Sequence, residues 1–175
     1  MPLREGWQGR FFEDFLVGDV YRHPLGRTIT ATDNAWFTLA AMNTNELHFN
    51  DHYSSHTEFN KQLVNSTLTL AIVVGLSVTD ISRNAVANLG WDKVRIPHPV
   101  FVGDTVYAES IVLATRPSAS RPYAGIVTVA SQGLNQDGEV VLTFERTVMV
   151  YRRDAPQIQQ IFPEAKEPIE RLGPE

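Results

Sequence analysis

The sequence predicts an α+β fold in which an antiparallel sheet wraps around one long buried helix. Three observations lead there. Leu68, Leu70, Ala71, Ile72, Val73, Val74, Leu76 and Val78 leave hardly any polar face, and a helix that is apolar all round is a buried one. Strand patterns crowd the part of the chain after Ala85. Gln136-Asp137-Gly138, set between two of those patterns, is a strong hairpin signal.

Taken in order, Phe11 to Asp19 reads as an entry segment closing at Gly18-Asp19, and Val20 to Thr30 has strand character. Thr30-Ala31-Thr32-Asp33 has the form of a capping box, with Asp33 standing where Glu is usual. It opens a helix with a broad apolar face of Ala35, Trp36, Phe37, Leu39, Ala40 and Met42. That helix ends near Asn43, because Asn-Thr-Asn favours turn geometry. Asn65 or Ser66 caps the apolar helix, which ends before Ser82. Lys93 and Arg95 then alternate with Val94 and Ile96, Gly103-Asp104 marks a turn, and segments 105–114, 125–134 and 139–151 complete five or six antiparallel strands. Trp36 and Trp91 read as core or interface aromatics. One domain is expected over residues 1–153, followed by a Pro-, Glu- and Gln-rich C-terminal extension over 154–175.

Composition bounds the function. At 175 residues the chain is long enough for one domain with a full core. No apolar run reaches membrane-spanning length, and Met1 to Gly6 lack the apolar core of a signal peptide, so no membrane partner is expected and the expected location is cytoplasmic. The absence of cysteine removes disulfides, thiolate metal sites and a cysteine nucleophile. A net charge of -5 argues against nucleic-acid binding.

The chemistry concentrates in Asn43-Thr44-Asn45-Glu46-Leu47-His48 and in Asn65-Ser66. His48 falls just past the first helix, and imidazole exchanges protons near neutral pH. The start of the apolar helix offers free N–H groups and the positive end of a dipole. A base facing an oxyanion holder suits a thioester carbonyl. Asn43 exchanges no proton usefully, but it donates to and accepts from a water and so can hold one in place. Glu46 reads as a solvated carboxylate. His48, His52 and His56 recur at intervals of four and would bind a metal only on a continuous helix, which Asn50-Asp51 and Tyr53-Ser54-Ser55 disfavour; no metal is expected.

Several further pieces fall in one order: Thr28-Ile29-Thr30 with Asp33, Asn45-Glu46-Leu47-His48-Phe49, Tyr53, Leu63-Val64-Asn65-Ser66 and Pro99-Val100-Phe101-Val102-Gly103-Asp104-Thr105. In these the chain, from Phe11 to Arg153, resembles the MaoC-like dehydratases, the (R)-specific enoyl-CoA hydratases of the hotdog fold. Leu63 to Ser66, Asn88-Leu89-Gly90-Trp91 and Ser118-Ala119-Ser120-Arg121-Pro122 look most like the branch of mesaconyl-CoA and itaconyl-CoA hydratases. The resemblance implies a single hotdog domain that pairs edge to edge as a homodimer or higher assembly. It also implies reversible hydration of a 2-enoyl-CoA, with no cofactor beyond the coenzyme A of the substrate.

The family's catalytic Asp and the His five residues after it match Asn43 and His48, so the carboxylate is here an amide. The family's His-Gly at the helix start is Asn65-Ser66, and Ser66 still supplies a backbone N–H. Arg121, Arg95 and Lys93 are candidates for coenzyme A phosphates, Asn65 for substrate contact, and Arg27 for the free carboxylate of a dicarboxylic acyl group. Two other readings follow from the same residues. A thioesterase would want a carboxylate near the start of the central helix, whereas the first one is Asp80, at its far end. A non-catalytic acyl-CoA-binding subunit is suggested by Asn43.

Overall fold

In the computed structural model, residues 6–158, together with 4, 165–167 and 169, are described; most of the expected extension over 154–175 lies outside them. The chain runs β1 (Val20–Arg22), β2 (Arg27–Thr28), α1 (Ala31–Ala40), α2 (Asp51–Ser55), α3 (Ser66–Leu76), β3 (Ala85–Arg95), β4 (Thr105–Pro117), β5 (Ala124–Leu134) and β6 (Val140–Tyr151). The strands form one antiparallel sheet in the order β1-β4-β5-β6-β3, with β2 on β4. The single strand expected from Val20 to Thr30 is two, because the chain between them turns inward. His23 is buried there, and a Cβ on Gly26 would overlap the Tyr107 ring.

Alternation on the strands sends Val127, Val129, Leu142, Phe144, Val148 and Val150 to one face. α3 lies on that face and packs Leu68 and Val73 among Ile29, Val106, Val141, Leu142 and Phe144. Its approach is close: a Cβ on Gly133 would sit 2.6 Å from Val73 Cγ2. The expectation of a helix buried all round needs correcting. Leu68, Thr69 and Val73 are buried, whereas Ala71, Gly75 and the following Val78 are exposed. One sheet covers one side of a cylinder, so the opposite apolar side has no cover among the described residues. Trp36 and Trp91 are also exposed, at 73% and 45%, and neither is core.

α3 gives way to a wider π-type stretch, Val78–Ser82, that carries Asp80 beneath the N-terminal segment. Asp80 accepts from Arg10 at 2.6 Å and pairs with His23 Nδ1 at 2.9 Å. His23 Nε2 reaches Ser110 Oγ at 3.0 Å, and Ser110 Oγ reaches Ser131 Oγ at 2.7 Å. Burial works against ionisation of Asp80, but the hydrogen bonds from His23 and Arg10 and the Arg10 charge outweigh it. The carboxyl is held below its ordinary value of 3.8. A carboxyl depressed in the folded state stabilises the fold above its unfolded value and loses that contribution as pH falls through the folded one. Asp80→Asn is therefore expected to remove about 3 kcal/mol at neutral pH, since it breaks a mostly buried ion pair. That lowers Tm by about 6–12 °C for a chain of this size. Tm measured from pH 7 down to pH 2 should show the difference between wild type and variant shrinking below about pH 4.

Candidate active site

The capping box forms as expected. Thr30 Oγ1 accepts from the Asp33 N–H at 3.1 Å, and Asp33 accepts in return from the Thr30 N–H at 2.9 Å. It sets the start of α1 and therefore its rotation about its axis. α1 turns Asn34 and Thr38 inward, each with no exposed surface, and leaves Trp36 and Leu39 outside. After Ala40 the chain reverses through Met42, at φ 56°. The Asn43 N–H returns to the Thr38 carbonyl, and Asn43 Oδ1 accepts from the Asn45 N–H at 3.0 Å. Asn45 Oδ1 caps the Glu46–His48 turn through the Leu47 N–H, which delivers His48 to the interior.

The His48 ring nitrogen Nδ1 lies 2.8 Å from the carbonyl oxygen of Leu63. A carbonyl oxygen only accepts, so Nδ1 carries the hydrogen and the neutral ring presents Nε2 as a base. Asn34 sits between the same two segments. Its Nδ2 donates to the carbonyls of His48 at 2.7 Å and Leu63 at 3.0 Å, and its Oδ1 accepts from the Asn65 N–H at 2.9 Å.

At the start of α3 the backbone donors can be accounted for one by one. The Asn65 N–H goes to Asn34, and the Thr67 N–H goes to Asn65 Oδ1. The Leu68 and Thr69 N–H groups go to the Asn65 carbonyl. That leaves the Ser66 N–H, at the positive end of α3, as the open donor. A cavity of about 230 Å³ adjoins it, lined by Leu63, Val64, Ser66 and Thr69 and, across from them, Ile96, Pro97 and Pro99. A larger groove of about 470 Å³ lies among Glu109, Ile111, Ala130, Gln132 and Glu145 and includes neither His48 nor Ser66. The smaller cavity is lined by Ser66 but not by His48, so the site is selected by the Ser66 N–H and by the Leu63 carbonyl that holds the imidazole, not by size.

The fold ties His48, through the Leu63 carbonyl, to the segment that opens α3 at Asn65 and Ser66, and anchors the Asn43 loop to the end of α1. Both ends of the Asn65 amide are engaged, Oδ1 with Thr67 and Nδ2 with Thr38, so this residue builds the turn. The cations expected to bind ligand are more scattered. Arg27 is paired with Asp33 at 2.7 Å and Lys93 with Glu145 at 2.7 Å. Arg95 closes β3 next to Ile96 and Pro97 of the cavity wall. Arg121 lies in the β4–β5 turn, beside the Pro117↔Gly125 pair, at the opposite end of the sheet from the cavity. His52 and His56 meet edge to face near the surface, with ring centroids 4.7 Å apart, while His48 points inward. Among the described residues no group of three or more His, Cys, Asp or Glu side chains gathers as a metal site. Among the described residues no helix is long and apolar enough to cross a membrane. Sequence reasoning missed Asn34 and Thr38. Their spacing of four, which places them on one side of α1, was the available signal.

A model of the family described as mesaconyl-CoA hydratase matches residues 4–161. The mesaconyl-CoA hydratase of Cereibacter sphaeroides is 38% identical over 146 residues, covering 83% of this chain and 42% of its own length. The beta-methylmalyl-CoA dehydratase of Chloroflexus aurantiacus is 36% identical over 163 residues, covering 92% of this chain and 46% of its own. A crystal structure of a MaoC domain protein dehydratase from Chloroflexus aurantiacus superposes with a TM-score of 0.81 at 36% identity, over 95% of this chain and 46% of that one. A Mycobacterium tuberculosis protein with a double hotdog fold superposes with a TM-score of 0.75 over 95% of this chain and 50% of that one; at 22% identity it speaks for the fold alone. The chain spans less than half the length of the curated relatives it matches. Its architecture is a single hotdog, and the relatives it matches include a mesaconyl-CoA hydratase, a beta-methylmalyl-CoA dehydratase and a MaoC domain dehydratase. The chain belongs to the mesaconyl-CoA hydratase family.

Proposed function

We propose that this chain catalyses the reversible hydration of a 2-enoyl-CoA thioester of the branched dicarboxylic, mesaconyl type, with no cofactor beyond the coenzyme A of the substrate. The observation that carries the reading is the hydrogen bond from His48 Nδ1 to the Leu63 carbonyl. It ties the imidazole, with Nε2 left as the basic nitrogen, to the Leu63 carbonyl, three residues ahead of the open Ser66 N–H at the head of α3. In this mechanism His48 Nε2 takes a proton from water as the hydroxyl oxygen bonds to the β-carbon. The electron pair of the C=C bond moves onto the thioester oxygen, which the Ser66 N–H holds. The enolate then reforms the carbonyl as the α-carbon takes the proton back from His48. Asn43 keeps both N–H donors and a lone pair of Oδ1 for the water, the other lone pair being taken by Asn45.

Hydrolysis of the thioester is the weaker reading. The first turn of α3 holds no acidic residue, and Asp80 is occupied by Arg10 and His23.

A homodimer in the cytoplasm belongs to the same proposal. β3 is a sheet edge with no buried residue along its 11 positions, and it exposes Leu89 and Trp91. An open edge of that length invites a second strand. Two β3 edges paired antiparallel lay the Arg121 end of one subunit against the Arg95 end of the other. Arg121 then reaches a neighbour's cavity rather than its own, where it can meet a coenzyme A phosphate.

The test is loss of enoyl-thioester absorbance with purified protein and a panel of 2-enoyl-CoA and branched dicarboxyl-CoA substrates. Turnover of the branched dicarboxyl members above the straight-chain ones supports the reading. Release of free thiol would make the chain a thioesterase, and binding without turnover would make it an acyl-CoA carrier.

A further inference from the structure

We infer that Asn34 and Thr38, one turn apart on α1, are positioning residues that set the orientation of His48 relative to the Ser66 N–H. This deepens the hydration reading and rests on it. Both side chains have no exposed surface, so neither touches substrate. The Asn34 carboxamide uses both its ends. Its Nδ2 donates to the His48 and Leu63 carbonyls, and its Oδ1 takes the Asn65 N–H. Thr38 Oγ1 accepts from Asn65 Nδ2 at 3.2 Å, which turns Asn65 Oδ1 toward the Thr67 N–H and Oγ1, at 3.0 and 2.7 Å.

Two consequences follow from this wiring. The Leu63 carbonyl receives Asn34 Nδ2 as well as His48 Nδ1, so the amide directs the same oxygen that directs the imidazole. The Asn65 and Thr67 N–H groups are both drawn away from the cavity, which leaves Ser66 as the single open donor beside it. Base and oxyanion donor are therefore referenced to one buried helix face. In a plain packing role, Asn34 and Thr38 would contribute stability without bearing on where Nε2 points. A displacement of about 1 Å in a reacting group costs on the order of 100-fold in rate, so the two roles are separable by experiment.

Asn34→Asp keeps the shape and the acceptor for Asn65 but replaces two donated hydrogens with an oxygen facing two carbonyls. Thr38→Val keeps the shape and removes the acceptor for Asn65 Nδ2, whereas Thr38→Ser retains it. The expected result is a fall in kcat of about 100-fold for Asn34→Asp, with KM changed less than about threefold. Thr38→Val is expected to lose about tenfold in kcat, and Thr38→Ser to recover it. The ¹⁵N resonances of the His48 ring, read by NMR in the full chain, are expected to move in Asn34→Asp and Thr38→Val and to return in Thr38→Ser. Should Asn34→Asp not fold, the Thr38 pair decides alone. Folded variants with unchanged His48 resonances, losing activity only in step with Tm, would overturn the inference. The NMR reading needs no turnover. If wild type proves inactive on every thioester, the hydration reading fails while the tie from Asn34 and Thr38 to His48 is still decided.

Discussion

Ser66→Pro is expected to fold normally and to lose about 100- to 1,000-fold in kcat, the cost of removing one oxyanion donor. The substitution is unusually clean here. Ser66 is the first residue of α3, the helical position at which proline is best accommodated. Asn65, which would precede the proline, already has φ -58° and ψ 125°, the extended region that a residue before proline requires. The Ser66 N–H takes no part in the helix-start hydrogen bonds, so its loss disconnects nothing. Ser66→Ala keeps that N–H and is expected to hold near-wild-type activity. Steady-state kinetics on the two variants, with Tm measured alongside, separate a backbone donor from a serine side chain. Equal activity in Ser66→Pro and wild type would remove the oxyanion role.

His48→Ala is expected to lower kcat by about 100- to 10,000-fold, the range for removing a general acid–base group. KM should change little, because the walls of the cavity come from Leu63, Val64, Thr69 and the 96–99 segment rather than from the imidazole. The Leu63 carbonyl keeps Asn34 as a donor in the variant, so the turn into α3 retains a partner. Rate measurements at saturating enoyl-CoA, with circular dichroism to confirm folding, test this directly. A variant with near-normal kcat would mean that proton transfer runs through another group, with Glu46 and its exposed carboxylate next to be examined.

What was readable in the sequence divides along the range of the interactions involved. The capping box at Thr30 and Asp33, the 135–139 turn and the start of α3 at Asn65 all rest on contacts within five residues, and all three form as expected. The wiring between His48 and the start of α3 was not readable, because the groups that carry it come from α1, Leu63 and Asn65. The orientation of α1 was misread. Its apolar residues suggested a buried face, yet Asn34 and Thr38 are the inward pair, since three backbone groups from two other segments need partners there. The break between β1 and β2 likewise depends on Asp80, 57 residues beyond His23. No local pattern announces such a partner.

The side of α3 and the rim of β3 that no described residue covers bear on how such a unit is best packaged. As a separate polypeptide, such a unit would meet a neighbour only by diffusion, and any assembly would track expression level. In one continuous polypeptide carrying two such folds, as in the mycobacterial double hotdog protein, the second fold is always present at a high effective concentration. Gene fusion would then relax selection on the rim itself. Covalent linkage supplies the proximity that a separate subunit must obtain from the strength of its contacts.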